Sequence, residues 1–266
     1  MDYLIAILMG IVQGLTEFIP VSSTAHLRIL PELFKREDPG AAFTAVIQIG
    51  TLLSLLMYFR KDICNLLKDF FISLSKKDYK NQNLWLSIYI VVGTIPIVFL
   101  GLLFKRHIES DFRSLSVIGG SLIIFAIILL ISERVGKKEK GIDVINMRDA
   151  ILIGLAQAFA LIPGASRSGV TICMALLLGY RRDVSARFSF LLSIPSVLGA
   201  GLLEMKEVWG EAANFNITSV VIATIFSFIF GILSIEFLLR YLVNHRVNLF
   251  AYYRIVLGIF IFLFFV

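Results

Sequence analysis

Four stretches of the chain, 41–59, 84–104, 114–132 and 212–235, carry no Asp, Glu, Lys or Arg over 19, 21, 19 and 24 positions. A helix rises about 1.5 Å per residue, so about 20 residues cross a hydrocarbon layer of about 30 Å. Each stretch predicts a membrane-spanning helix. Residues 188–203, around Leu191 and Leu192, predict a shorter fifth span. The run from Val247 to Val266 predicts a sixth, broken only by Arg254, which either snorkels or faces protein. Pro96 and Pro195 fall inside two of these spans and predict kinks that neighbouring helices tolerate.

Two further apolar stretches follow another pattern. Residues 3–16 end at Glu17 and Pro20; residues 150–166 contain Pro163-Gly164, end at Arg167 and resume as 168–180. Each reads as a short helix, a Pro-punctuated turn rich in Ser or Gly, and a second short helix. Each therefore predicts a re-entrant hairpin, although hydropathy alone is equally compatible with ordinary spans. Asp2 and the lack of a basic leader argue against a cleaved signal peptide.

The two halves repeat. Ala6-Ile7-Leu8 aligns with Ala150-Ile151-Leu152, Gly10 with Gly154 and Gln13 with Gln157, all at an offset of 144. Pro20 meets Pro163 and Ser23 meets Ser166 at 143, while Phe43, Ile49, Leu53 and Lys61 meet Phe188, Ile194, Leu198 and Lys206 at 145. A hairpin plus three spans crosses the membrane an odd number of times, so the second half is inverted relative to the first. The predicted fold is an all-α integral membrane protein with an inverted-topology repeat, six transmembrane helices plus two re-entrant helix hairpins. Repeat one covers about 1–133 and repeat two about 148–266, joined by a cytoplasmic linker over 134–147. Placing 60–83, 134–148, 181–187 and 240–246 in the cytoplasm puts 16 Lys and Arg inside against 7 outside, as the positive-inside rule expects. The first hairpin then enters from outside and the second from the cytoplasm.

Composition agrees with a membrane chain: of 266 residues, 58% are hydrophobic and only 17% charged, with a mean hydropathy of +0.87. Soluble domains run at about 25% charged, so a typical cytosolic enzyme or a disordered chain is excluded. Cys64 and Cys173 are too few for a disulfide framework or a zinc site. The net charge of +6 comes from residues that punctuate apolar runs rather than cluster, which argues against nucleic acid.

The polar residues that remain inside apolar sequence gather in the two breaks. Gln13 and Glu17 stand four apart and share a helix face. An intramembrane carboxylate costs roughly 2.5–3.5 kcal/mol on the insertion scale, so it has a partner or a task. After Pro20, the segment Val21-Ser22-Ser23-Thr24-Ala25-His26 opens a helix, whose unpaired N–H groups and positive dipole end suit a phosphate. The second turn, Pro163-Gly164-Ala165-Ser166-Arg167-Ser168-Gly169-Val170-Thr171, repeats the design with Arg167, whose fork holds two phosphate oxygens at once.

Plainer readings compete residue by residue. Ser and Thr after proline serve as helix caps, Glu17 and Arg167 can form a structural bridge, and a lone His26 near a helix start is more often structural. Gly10 with Gly14, and Gly154 with Ala158, record close helix packing. Gln48 reads as an interhelical hydrogen bond, with a polar Ser193 at its mirror position, and Glu236 reads as a surface group near a span end. None of these explains why Glu, Ser, Thr, His and Arg all fall in two mirrored breaks.

The segments QGLTEFIPVSSTAH (13–26) and PGASRSGVT (163–171), with the repeat that relates them, resemble the undecaprenyl-pyrophosphate phosphatases, also called bacitracin-resistance proteins. The resemblance covers essentially the whole chain. It implies hydrolysis of undecaprenyl pyrophosphate to undecaprenyl phosphate and inorganic phosphate, so that the lipid carrier is reused in cell-wall synthesis. It further implies a divalent cation such as Mg²⁺ or Ca²⁺, a homodimer tendency, and a site in the bacterial plasma membrane open to the outer face. By position, Glu17 matches the essential glutamate, Gln13 the site where the family has Glu or Gln, Ser23 the proposed nucleophile, His26 the motif histidine and Arg167 the essential arginine. Ser22, Thr24, Ser166, Ser168 and Thr171 match phosphate-contacting positions. Two departures stand out: Gln13 leaves one carboxylate fewer for a metal, and Ala25 replaces a more usual glycine.

The mechanism expected from this is phosphoryl transfer, with Arg167 and both helix starts holding the pyrophosphate. Ser23 attacks, and either His26 or Glu17 takes its proton; His26 as nucleophile and direct attack by water stay open. Gln13 and Glu17 are the expected cation ligands, since Mg²⁺ commonly uses one or two carboxylates plus substrate phosphates. The rival is a transporter or flippase of a polyprenyl phosphate lipid, because inverted repeats with broken helices are transporter architecture. A purely structural subunit leaves Glu17 and Arg167 without a role.

Overall fold

A computed structural model describes residues 3–36, 38–104, 114–211 and 216–266, with all their side chains except those of 41–42 and 202–211. Asp2, the basic residues Lys105, Arg106 and Arg113, and the Lys206 side chain lie outside the described residues. The described chain is helical, with one isolated bridge between Lys140 and Tyr180. Its α-helices are α1 (Tyr3–Phe18), α2 (Ser23–Leu33), α3 (Gly40–Tyr58), α4 (Arg60–Lys76), α5 (Gln82–Leu103) and α6 (Leu115–Val135). They continue as α7 (Met147–Ala158), α8 (Arg167–Leu177), α9 (Arg182–Glu211), α10 (Ile217–Asn244) and α11 (Asn248–Phe264).

Four helices are long and apolar enough to cross a membrane: α5, α6, Arg182–Gly201 of α9, and α10. A fifth is obtained if α3 and α4, bent by 70° at Phe59, count as one broken span. Several boundaries differ from the charge-free runs. The short 188–203 stretch is the middle of a 30-residue helix that begins at Arg182, outside the apolar run. The run ending at 235 continues to Asn244, because Glu236 pairs with Arg240 one turn on and accepts a hydrogen bond from Tyr58, so both polar groups are satisfied on the helix. The helices run on through Pro96 and Pro195.

The outer faces are apolar, with Val91, Ile95 and Phe99 on α5 and Ile124 and Ile131 on α6 exposed. The inner faces carry small and hydroxylated residues. Ser54, Ser132, Ser193 and Ser234 are buried, and each returns its hydroxyl to a carbonyl three residues earlier. Lipid is as apolar as leucine, so such helices associate through close backbone approach instead. Gly10 lies against the Ala223 carbonyl of α10, and Gly154 lies against the Gly93 carbonyl of α5. Both small-residue motifs are thus packing surfaces, as their spacing suggests.

The charged loops gather at one end. Arg182 pairs with Glu133, Lys138 lies 3.8 Å from Glu133, and Arg187 reaches Asp62 at 2.5 Å. Asp149, at the start of α7, accepts from the Tyr180 hydroxyl just beyond α8 at 2.5 Å. The α7–α8 hairpin therefore leaves this end and returns to it. Its tip reaches Ser121, whose hydroxyl donates to Pro163 O at 2.8 Å. Ser121 stands twelve residues before Glu133 on α6, about 18 Å along the helix. The α1–α2 hairpin comes from the other end: Ile5 packs with Val220 near the start of α10, and the Gly14 carbonyl is held further along by Ser234 at 2.7 Å.

Candidate active site

The two hairpin tips have the same local construction. Ser22 caps α2 with φ +74° and accepts from Ala25 N at 3.4 Å; Ser166 caps α8 with φ +69° and accepts from Gly169 N at 3.2 Å. Two residues on, Thr24 Oγ1 lies 3.0 Å from Ser22 Oγ, and Ser168 Oγ lies 3.2 Å from Ser166 Oγ. Side chains rarely adopt this positive-φ conformation, which costs about 1–3 kcal/mol and concentrates at functional sites. The caps correct the register: Ser22, not Ser23, is the counterpart of Ser166, so Ser23 stands opposite Arg167. The reason lies in the turns, since Pro20 precedes its cap by two residues and Pro163 by three. A proline-anchored alignment slips by one there.

The tips touch. Gly164 N donates to Thr24 Oγ1 at 3.3 Å across 140 positions of sequence. The first turns of α2 and α8 thereby bring two positive helix ends to one place.

Glu17 is the centre of this site. It is 8% exposed, and both its oxygens accept from two donors. Oε2 takes Ser23 Oγ at 2.7 Å and Gln13 Nε2 at 3.0 Å; Oε1 takes Gln48 Nε2 at 3.0 Å and the Arg167 guanidinium. Three hydrogen bonds and the Arg167 ion pair thus converge on one carboxylate. Gln48 is the interhelical hydrogen bond expected of it, and its acceptor is the site glutamate itself. Its role there was invisible because 31 positions separate the two residues.

His26 does not face Ser23. Its Nδ1 lies 2.7 Å from the Ser22 carbonyl, which only accepts, so that nitrogen carries the proton. Nε2 lies 2.7 Å from the Tyr253 hydroxyl, and the two rings stack with centroids 5.6 Å apart. Tyr253 lay in an ordinary apolar run, and no sequence signal marks it. Thr171 also points elsewhere: it is fully buried, donates to Arg167 O at 2.8 Å and meets Ser189 Oγ at 2.5 Å. It braces the first turn of α8. Arg254 faces protein rather than snorkelling, fully buried beneath the second tip.

For a cation the donor set is spare. No cluster of three His, Cys, Asp or Glu occurs among the described residues. Gln13 Oε1, however, is a buried acceptor with no partner among the described residues, beside the one carboxylate of the site. That pair could hold a cation whose remaining ligands are phosphate oxygens once a Glu17 donor gives way.

The family described as Bacitracin resistance protein BacA matches residues 6–260. The chain is 49% identical over 258 residues to the undecaprenyl-diphosphatase of Nocardioides sp. (strain ATCC BAA-499 / JS614), covering 97% of this chain and 94% of that one. It is 50% identical over 264 residues to the undecaprenyl-diphosphatase of Chlorobaculum tepidum, covering 96% and 94%. The protein of that name from Chloroherpeton thalassium is 48% identical over 271 residues, covering 98% and 96%. A match of this length, spanning both hairpins and every helix between them, means that the chain belongs to the bacitracin resistance protein BacA family.

Proposed function

We infer that the protein hydrolyses undecaprenyl pyrophosphate to undecaprenyl phosphate and inorganic phosphate, returning the lipid carrier to cell-wall synthesis and conferring bacitracin resistance. Relatives named undecaprenyl-diphosphatase at about half identity over nearly the full chain support the reaction. One geometric observation carries it: a serine hydroxyl hydrogen-bonded to a buried carboxylate that an arginine from the other hairpin also holds. The three groups supply a nucleophile, a base and a phosphate clamp.

Ser23 Oγ forms the bond to the terminal phosphorus, and its proton passes to Glu17, its 2.7 Å partner. The bond from that phosphorus to the bridging oxygen breaks, and undecaprenyl phosphate leaves. Water then attacks the phosphoserine, the bond from phosphorus to Ser23 Oγ breaks, Glu17 returns its proton to that oxygen, and inorganic phosphate departs with the protons of the water. Arg167 and the N–H groups of both helix starts, with Ser22, Thr24, Ser166 and Ser168 around them, stabilise charge on the transferring group. An arriving pyrophosphate competes with Glu17 for the Arg167 fork, which frees the carboxylate to act as base. His26, held by Ser22 and Tyr253, orients the first turn of α2 in this scheme. Mg²⁺ or Ca²⁺ held by Gln13 Oε1 and Glu17 would neutralise phosphate charge.

In the membrane reading, α3, α5, α6, α9, α10 and α11 are six spans, and α1–α2 and α7–α8 are re-entrant hairpins of two inverted repeats. The matched caps support it, as do the equivalent contacts of Gly10 on α1 with α10 and of Gly154 on α7 with α5. So do the opposite ends from which the hairpins enter. The charged end is cytoplasmic by the positive-inside rule, which puts the tips toward the outer face.

The test is phosphate release by pure protein in detergent from a prenyl pyrophosphate, with a divalent cation present. Hydrolysis needs no gradient, so release should occur, stop on chelation, and vanish in Glu17→Ala and Ser23→Ala. A contaminating phosphatase would survive both substitutions. Lipid binding without phosphate release from folded protein would make the transporter the better reading.

A further inference from the structure

Arg254 sits in the middle of α11 and is 0% exposed. Its Nη2 donates to the carbonyls of Gly164 at 3.0 Å and Ala165 at 2.9 Å, while Nε and Nη1 are buried with no partner among the described residues. A cation inside a membrane helix is costly and therefore has a task. Its place suggests which. A methyl group built on Gly169 would stand 2.8 Å from Nη1, so the guanidinium lies beneath the first turn of α8, whose opening residue is Arg167. The preceding residue on α11, Tyr253, turns to the other hairpin and holds His26 at 2.7 Å. The circuit closes between the tips, where Gly164 N reaches Thr24 Oγ1.

The second tip is held by the Ser166 cap, by Gly164 N on Thr24 and by neighbours that grip its carbonyls. Gly164 has φ +92°, and an added side chain would meet Ile118 O and Ser121 Oγ at 2.6 Å, so position 164 cannot carry its own anchor. Its carbonyls are gripped by Ser121 on Pro163 and by Arg254 on Gly164 and Ala165.

We propose that the Tyr253–Arg254 step of α11 is a third element of the site, a pair of positioning residues that spans both hairpins. Arg254 fixes the turn that presents Arg167, Tyr253 fixes the histidine that closes the first turn of α2, and their adjacency sets the spacing between the two. The proposal rests on the phosphatase reading and adds to it residues outside both motif segments.

The test uses full-length protein in detergent with a prenyl pyrophosphate, comparing Arg254→Gln, Arg254→Lys and Tyr253→Phe with the parent. Arg254→Gln should lower kcat at least about tenfold with KM changed less than about threefold, because the reacting groups lose alignment while the lipid still binds. Arg254→Lys, which can still donate to a carbonyl, should recover part of that loss. Tyr253→Phe should lower kcat about threefold at unchanged thermal stability. A second readout needs no activity: cysteines at 24 and 168 should crosslink more slowly in the Arg254→Gln background. Parent-like kcat in both Arg254→Lys and Tyr253→Phe overturns the proposal even if Arg254→Gln fails to fold. So does a loss of kcat that only follows thermal stability while crosslinking is unchanged. A parent that releases no phosphate would instead overturn the phosphatase reading, and the crosslinking comparison would still decide this one.

Discussion

Ser23 Oγ lies 2.7 Å from Glu17 Oε2, across a broken helix rather than along a continuous one. In an unbroken helix, residues six apart point to different faces. The break after Phe18 and the strained cap at Ser22 turn the chain back so that hydroxyl and carboxylate meet.

In the proposed mechanism that contact makes Glu17 the base. Glu17→Gln keeps the shape and the donors' neighbours but cannot take a proton. Turnover should fall by about 10²–10⁴-fold, the usual worth of a positioned base, measured as phosphate release under saturating substrate. Full activity in Glu17→Gln would move the base elsewhere.

Arg167 tests the clamp. Arg167→Lys keeps the charge and loses the planar fork, so turnover should drop at least about tenfold, or about 1.4 kcal/mol in the barrier. The variant should remain folded by size-exclusion in detergent. Parent-like turnover would reduce Arg167 to a structural partner of Glu17.

The meeting of the tips is checked by chemistry at a distance in sequence. With Cys64 and Cys173 replaced, cysteines at Thr24 and Ser168 should join within one chain through a short crosslinker, seen as a mobility shift on a denaturing gel. The basis is the 3.3 Å contact between Thr24 and Gly164. Persistent failure in correctly folded protein carrying both cysteines would mean that the tips do not meet.

Close packing at Gly154 gives a stability prediction. In Gly154→Ala the new methyl runs into the Gly93 backbone, and overpacking of this kind costs about 1–3 kcal/mol. The thermal midpoint in detergent should fall. Gly120→Ala, where nothing stands within 4 Å, should leave it unchanged or raise it slightly. Equal midpoints for the two variants would contradict the α5–α7 contact.

Much of this protein was legible from one sequence because the membrane imposes a simple rule. Backbone polar groups must be satisfied within the segment, so charge-free runs of the right length become helices. The same rule makes Glu17, His26 and Arg167 conspicuous. The resemblance of 13–26 and 163–171 to a family then supplied roles that residue types alone left open between cap, bridge and catalyst.

What the sequence could not contain is which distant residues close on those motifs. Gln48 reaches Glu17 over 31 positions, Tyr253 reaches His26 over 227, and Arg254 reaches Gly164 over 90, each from within a helix that reads as plain membrane span. The pairing of Ser22 with Ser166 was hidden too, since a backbone φ leaves no mark in residue identity when a serine takes the place of glycine. Hydropathy and motif spacing are local properties and determine the elements and their chemistry. The site is assembled by helices packing backbone to backbone at Gly10 and Gly154, and only that packing decides which side chains meet at the two tips.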